Sequence, residues 1–233
     1  MTNIIKFIST GRYVTETYLK PVPAKKCIPD WWKTMTQYDV TEENPYGKNF
    51  DHRTKTFKKC MPLVDMLSSG YMILLNADIQ IDNGKDISWR VREDVISFEK
   101  FASAKNISRP EGFNENVIRY YSGFVARTPK GYSSMITHPL GYQDLPFRTL
   151  SGIVDTDSSV MPVEPLFWIR ENFTGVIKRG TPIAQVIPFK RESWKVEYDE
   201  YEDDEAFFNV QNGMKSNIVD HYITQHWKRK SFN

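Results

Sequence analysis

Two carboxylates stand two residues apart in the segment Gly152-Ile153-Val154-Asp155-Thr156-Asp157. After a glycine, Asp155 and Asp157 could hold a water, a sugar hydroxyl or a Mg²⁺ ion, and one could serve as a general base. The plainer reading is an Asx turn at a strand end, because Asp side chains bond readily to nearby backbone amides. A second turn, Gly180-Thr181-Pro182-Ile183-Ala184-Gln185, opens an apolar run. There Ala184 permits close packing, and Gln185 could meet either a ligand or backbone. Arg148 and His138 lie upstream and are the further ligand-binding candidates. His138 adds a group that titrates near neutral pH, and it could instead be structural or pair with Asp144.

A metal site is not expected from the histidines. No His-x-Asp or His-x-Glu pair occurs, and His221 and His226 are five apart, a poor spacing for one helical face. Cys27 and Cys60 form no metal pattern, and nothing points to secretion or a disulfide. No cofactor is expected, with Mg²⁺ entering only if the acids act on a nucleotide.

The elements that must position these residues read as mainly β. Hydrophobic residues make up 40% and aromatics 14%, too much apolar surface for a disordered chain. Residues 71–81 begin apolar on both faces and then alternate, and Asn83-Gly84 marks a turn into a partner strand over 87–97. Further strands are expected over residues 4–7, 13–19, 117–127, 132–137, 150–154, 165–169, 174–177 and 183–189. Prolines at 21, 23 and 29 stop regular structure, and Asp30 is placed to cap a short helix at Trp31-Trp32. The Trp pair could be an exposed contact, although such residues more often cover a core edge. Residues 39–54 read as a polar loop, 56–68 as a short helix and 217–230 as a basic-ended helix.

These elements predict a single β-barrel or sandwich core with short helical segments at both ends. Residues 1–65 form an irregular or helical extension packed on the core, 66–195 the β core, and 196–233 an acidic loop and a helix. The acidic loop carries six acids in residues 199–205, which reads as a solvated face. A net charge of +2 gives no strong nucleic-acid signal. No stretch is long and apolar enough for a membrane span, and no signal-like segment opens the sequence, so a cytoplasmic setting is expected.

Four segments in order resemble the trimeric dUTPase and dCTP deaminase family over residues 66–190. Ser69-Gly70-Tyr71-Met72 with Ala77-Asp78-Ile79 is similar to its first motif. The segment from Met135 through His138 to Gly141 falls where the second lies. Gly152 through Asp157 resembles the third motif, and the turn from Gly180 to Gln185 the fourth. The resemblance implies a dUTPase-like core, with Asp155 or Asp157 activating water. The departures bear on activity. Met72 replaces an Asp, the phosphate-contacting Arg-Ser pair is absent near His138, and Ser158 stands where a base-pocket Tyr is expected. A Gly-rich closing arm is missing from the final residues, Lys228-Arg229-Lys230-Ser231-Phe232-Asn233.

The longer string through His138, Asp144, Arg148 and Asp157 also resembles a poorly characterised protein family seen in phages and some bacteria. Together these readings favour a non-enzymatic phage-type structural or accessory protein that uses its β core for protein contacts. It is expected to be a homo-oligomer or to bind another protein, in the host cytoplasm or in a virion. The alternative is a divergent nucleotide-binding or nucleoside-triphosphate-hydrolysing enzyme using Asp155, Asp157, Gln185 and Arg148.

Overall fold

Alternation is plainest at Ile79–Asp82, where Ile79 and Ile81 point inward and Gln80 and Asp82 outward. The computed structural model describes residues 3–40, 53–89, 98–100, 107–198, 205, 207–212 and 222–233. In chain order its strands are β1 (Lys6–Ser9), β2 (Val22–Pro23), β3 (Tyr38–Val40), β4 (Arg53–Lys55), β5 (Tyr71–Leu74), β6 (Ile79–Asp82), β7 (Asp86–Trp89) and β8 (Phe98–Lys100). There follow β9 (Phe113–Tyr120), β10 (Phe124–Arg127), β11 (Tyr132–Thr137), β12 (Phe147–Thr149), β13 (Gly152–Val154), β14 (Leu166–Arg170), β15 (Gly175–Ile177) and β16 (Pro182–Lys190). Its helices include α1 (Arg12–Thr17), α2 (Asp30–Thr34) and α3 (Met61–Ser68). The chain is mainly β, and its strand pairs are antiparallel.

One compact unit comprises Met1–Cys27 with Gly70–Arg191. It holds a five-stranded sheet in the order β13-β11-β16-β5-β2 and a four-stranded sheet, β12-β14-β9-β8. A three-stranded sheet, β15-β6-β7, and the pair β1-β10 complete it. These sheets bury one shared core. Ile73, Ile183, Ala184 and Val186 come from the five-stranded sheet, Ile118, Tyr120, Phe147 and Phe167 from the four-stranded one, and Ile79, Ile81 and Ile177 from the three-stranded one. β16 lies between β5 and β11, and its first five residues are all buried, as expected for a strand covered on both faces. Gly70 enters this sheet at φ +70°, and a Cβ there would stand 2.1 Å from the carbonyl oxygen of Val186. Only glycine fits so close an approach.

The barrel alternative is not met. Among the described residues the sheets do not close on themselves: β13 and β2 are the outer strands of the largest sheet, and both are short. Residues 13–19, expected as a strand, are instead mostly the helix α1. Local bonding outweighs β-branched propensity there: Arg12 pairs with Glu16 at 2.8 Å, and the Thr15 and Thr17 hydroxyls donate to the carbonyls of Gly11 and Tyr13.

The second unit comprises Ile28–Ser69 with Glu192–Ser231. The division thus follows different lines from the three sequence segments expected, since residues 1–27 supply β1 and β2 to the sheets of the first unit. Asp30 is the first residue of α2 rather than its cap, and it pairs with Lys33 at 2.8 Å. Trp32 is buried under Lys58, whose ammonium lies 5.3 Å from the ring centre, while Trp31 is exposed. Asp65 on α3 accepts from Trp227 Nε1 at 3.0 Å and from Lys230 Nζ at 2.6 Å. Within the helix expected over 217–230, only Tyr222–His226 is helical among the described residues, as one π turn. Most of the acidic run, most of the loop over 39–54, residues 90–97, His52 and His221 lie outside the described residues.

Candidate functional site

The acid pair sits where β13 ends, opposite the start of β11. Thr156, between the two acids, is buried, and its hydroxyl meets Thr128 Oγ1 at 2.8 Å and Ser134 Oγ at 3.0 Å. This anchors the turn and sends the flanking acids to one side of it. Asp157 Oδ2 accepts from the Gly131 amide at 2.8 Å, capping the Pro129-Lys130-Gly131 turn, where Gly131 takes φ +86°. Asp155 Oδ1 accepts from Ser133 Oγ at 2.6 Å.

Arg191, directly after β16, closes the cluster. Its Nη1 donates to Asp157 Oδ1 at 3.0 Å and to Asp155 Oδ1 at 3.2 Å, while Nη2 donates to Asp157 Oδ2. The same Nη1 reaches Ser133 Oγ at 3.0 Å and the Tyr132 carbonyl at 3.1 Å, and the Arg191 amide donates to Gly131 O at 2.8 Å. Arg191 first, and then the Gly131 amide, hold the Asp157 carboxyl down at about 2. The acids in turn raise the Arg191 pKa, Asp157 first. The Asp157 side chain is 8% exposed and that of Asp155 64%. Asp157 is thus a structural cross-link, and only Asp155 presents an oxygen to solvent.

Gln185 belongs to another place. It is fully buried, and its Oε1 accepts from the Leu140 amide at 2.9 Å. Its register partners are Thr137 on β11 and Met72 on β5. Asp155 meets Ser133, four residues from Thr137 along β11, which is about 14 Å at strand rise. The acids therefore bond at the Ser133 end of β11, and Gln185 pairs at its Thr137 end. The acid just before the turn over residues 180–185 is Asp78, which takes Lys178 Nζ at 3.0 Å and the Arg179 amide at 2.7 Å. The Arg179 amide first, then Lys178, lower its pKa.

No family model matches the chain, and no curated protein matches it either.

His138 is buried and fully engaged. Its Nδ1 accepts from the Thr149 amide at 3.2 Å, which leaves Nε2 to donate to the Tyr142 carbonyl at 2.9 Å. Both ring nitrogens are thus taken by backbone rather than by Asp144. Burial first, with the nearby Arg148 charge, depresses its pKa to about 4, so the ring is neutral at pH 7. Met72, where the resembled family has an acid, is buried core.

Arg148 lies apart from the acids, on β12 of the four-stranded sheet. Phe147 and Thr149 point inward, and Arg148 faces out beside its register partner Trp168. Among the described residues the Arg148 side chain makes no ion pair or hydrogen bond, no group of three metal-ligating side chains occurs, and no helix is long and apolar enough to cross a membrane.

Sequence reasoning missed Arg191 and Ser133. The available signal for Arg191 was its position as the second cation after a long apolar run. Nothing in the spacing pairs it with acids 34 and 36 residues earlier.

Proposed function

We propose that the protein is a non-catalytic β scaffold, a phage-type structural or accessory component that acts through protein contacts. The observation that carries this reading is the arrangement around Arg191. The acid pair that would activate water is instead tied to a guanidinium, a serine and a turn amide. A general base needs a free lone pair within reach of a reacting proton, and Asp157 has its oxygens committed on both sides. Gln185 and His138 are likewise engaged with backbone. In this reading the antiparallel sheets are a dUTPase-like core whose catalytic positions have become cross-links.

The partner favoured is a second copy of the chain. β13 is an outer strand of the five-stranded sheet, and Ile153 on it is 68% exposed. Val160 and Met161, in the loop that follows, are 72% and 63% exposed. An open strand edge flanked by exposed apolar side chains is a ready surface for association. Such a scaffold would serve in the host cytoplasm or within a virion.

Two measurements test the reading. Light scattering on the purified protein is expected to give a multiple of the 27.3 kDa chain mass, which Ile153→Lys lowers. A pyrophosphate-release assay with Mg²⁺ and dUTP, dCTP or dTTP is expected to show no turnover. Turnover above about 0.1 per second that Asp155→Asn abolishes would replace the scaffold with a triphosphate hydrolase.

A further inference from the structure

The outer face of the four-stranded sheet carries an open groove of about 490 Å³, lined by Ser108, Arg109, Arg148, Leu150, Ser151 and Trp168 among others. That volume is in the range of small-molecule sites. We propose that this groove binds a phosphate-bearing small molecule, held between the guanidinium groups of Arg109 and Arg148. The site is separate from the acid cluster at Arg191 and does not depend on the scaffold reading.

Charge is the first argument. Two arginines, Arg109 and Arg148, line one groove, and like charges in one site favour an anion between them. Arg148 is exposed and has no carboxylate partner among the described residues. Arg109 has one, Glu171, at 3.7 Å, which is too long for a hydrogen bond and leaves its donors available. Glu171 lines the adjoining polar hollow with Lys85 and Asn114, not the groove itself. The groove is therefore positive on balance.

Geometry narrows the ligand. The register Arg148↔Trp168 fixes the Arg148 backbone on a sheet, and Trp168 and Val117, its partners across that same face, form a buried cluster. A site carried on a rigid strand is placed more precisely than one on a loop. A single carboxylate satisfies one arginine fork, whereas a phosphoryl group presents three oxygens and enough charge for two. Ser108 adds a neutral hydroxyl to the lining, while the Ser151 hydroxyl bonds Thr137 Oγ1 at 2.7 Å. Inorganic pyrophosphate and nucleoside triphosphates share this chemistry, and the test separates them.

The experiment is titration calorimetry on the full chain at low ionic strength, where exposed charges are least screened. Pyrophosphate and ATP are titrated separately into the parent protein and into Arg148→Gln, Arg109→Gln and Asp155→Asn. Saturable binding is expected, weakened about tenfold or more by either arginine substitution, as for loss of a charge-assisted bond. Asp155→Asn should leave it unchanged. Arg148→Lys, which keeps the charge and loses the fork, should fall between parent and Arg148→Gln, so a general loss of folding is distinguishable. Equal affinity for the two ligands assigns the site to phosphate alone, and tighter ATP binding adds a contact to the nucleoside. Absence of saturable binding by both ligands overturns the proposal, as does binding unaltered in an Arg109→Gln, Arg148→Gln double variant. Tighter binding of a single-stranded oligonucleotide through the same arginines overturns it too, in favour of a nucleic-acid surface.

Discussion

Arg191 and Asp157 form a two-pronged ion pair, with Nη1 on Oδ1 at 3.0 Å and Nη2 on Oδ2, at the point where β16 ends and the Gly131 turn begins. The same arginine touches Asp155 from one side only, at 3.2 Å. The two acids of one motif therefore differ in what they do, although their spacing treats them alike.

This difference predicts an order of effects. Asp157→Asn should lower the thermal midpoint more than Asp155→Asn, because it removes a nearly buried charge bound to both a guanidinium and a turn amide. Differential scanning calorimetry at pH 7 checks it. An equal or larger effect at Asp155 would contradict the cross-link assignment. The pH dependence has a definite sign. The folded pKa of Asp157 lies at about 2, below its ordinary 3.8, so its contribution is present above pH 3.8 and is lost as pH falls through 2.

His138 predicts an acid limb at higher pH. Its folded pKa is about 4 against an ordinary 6.5, so the unfolded chain binds the proton first. Stability is then complete above pH 6.5 and declines as pH falls toward 4, by about 3 kcal/mol over the full window. Urea midpoints measured from pH 7 to pH 4 should show this slope. His138→Gln should flatten it.

Gly70→Ala should be among the most damaging single changes. The added methyl would stand 2.1 Å from Val186 O, and the backbone there is at φ +70°. A left-handed non-glycine residue together with a backbone clash is expected to cost more than about 3 kcal/mol. Denaturant unfolding measures it, and a loss under about 1 kcal/mol would mean that the β5–β16 approach is looser than described.

Tyr120→Phe tests a buried polar network. The Tyr120 hydroxyl accepts from Asn76 N at 3.1 Å and Nδ2 at 2.6 Å, and it donates to Leu74 O at 3.2 Å. Asn76 Oδ1 in turn accepts from the Leu19 amide at 2.7 Å. Burial raises the phenol pKa, so the hydroxyl keeps its proton. Removing it leaves two Asn76 donors facing apolar surroundings, at a cost of about 1–3 kcal/mol by the same urea measurement.

Much of the β unit was legible residue by residue. The Asn83-Gly84 turn, with both residues at positive φ, and the apolar run from Ile183 became the elements they predict, whereas the single strand read over 71–81 is two, β5 and β6, in different sheets. What escaped was non-local. Register between β11, β13 and β16 decides that Asp155 meets Ser133 and Arg191 rather than Gln185, and no local pattern encodes that register. Pattern also misled where short-range bonds dominate, as at Thr15 and Thr17 in α1. The groove at Arg148 needed the pairing with Trp168 to bring it beside residues 108–110.

The strand order of the largest sheet sets a folding sequence. β16 occupies its middle, yet it is the last of the five strands along the chain, and it joins β5 to β11. On a chain emerging from the ribosome, β5 and β11 must wait with open edges until β16 arrives. Closure then requires contacts more than a hundred residues apart in the chain, as between Met72 and Gln185. Assembly of this sheet is thus post-synthetic with respect to its own first strands, and the interval before β16 docks is when those edges are open to mispairing.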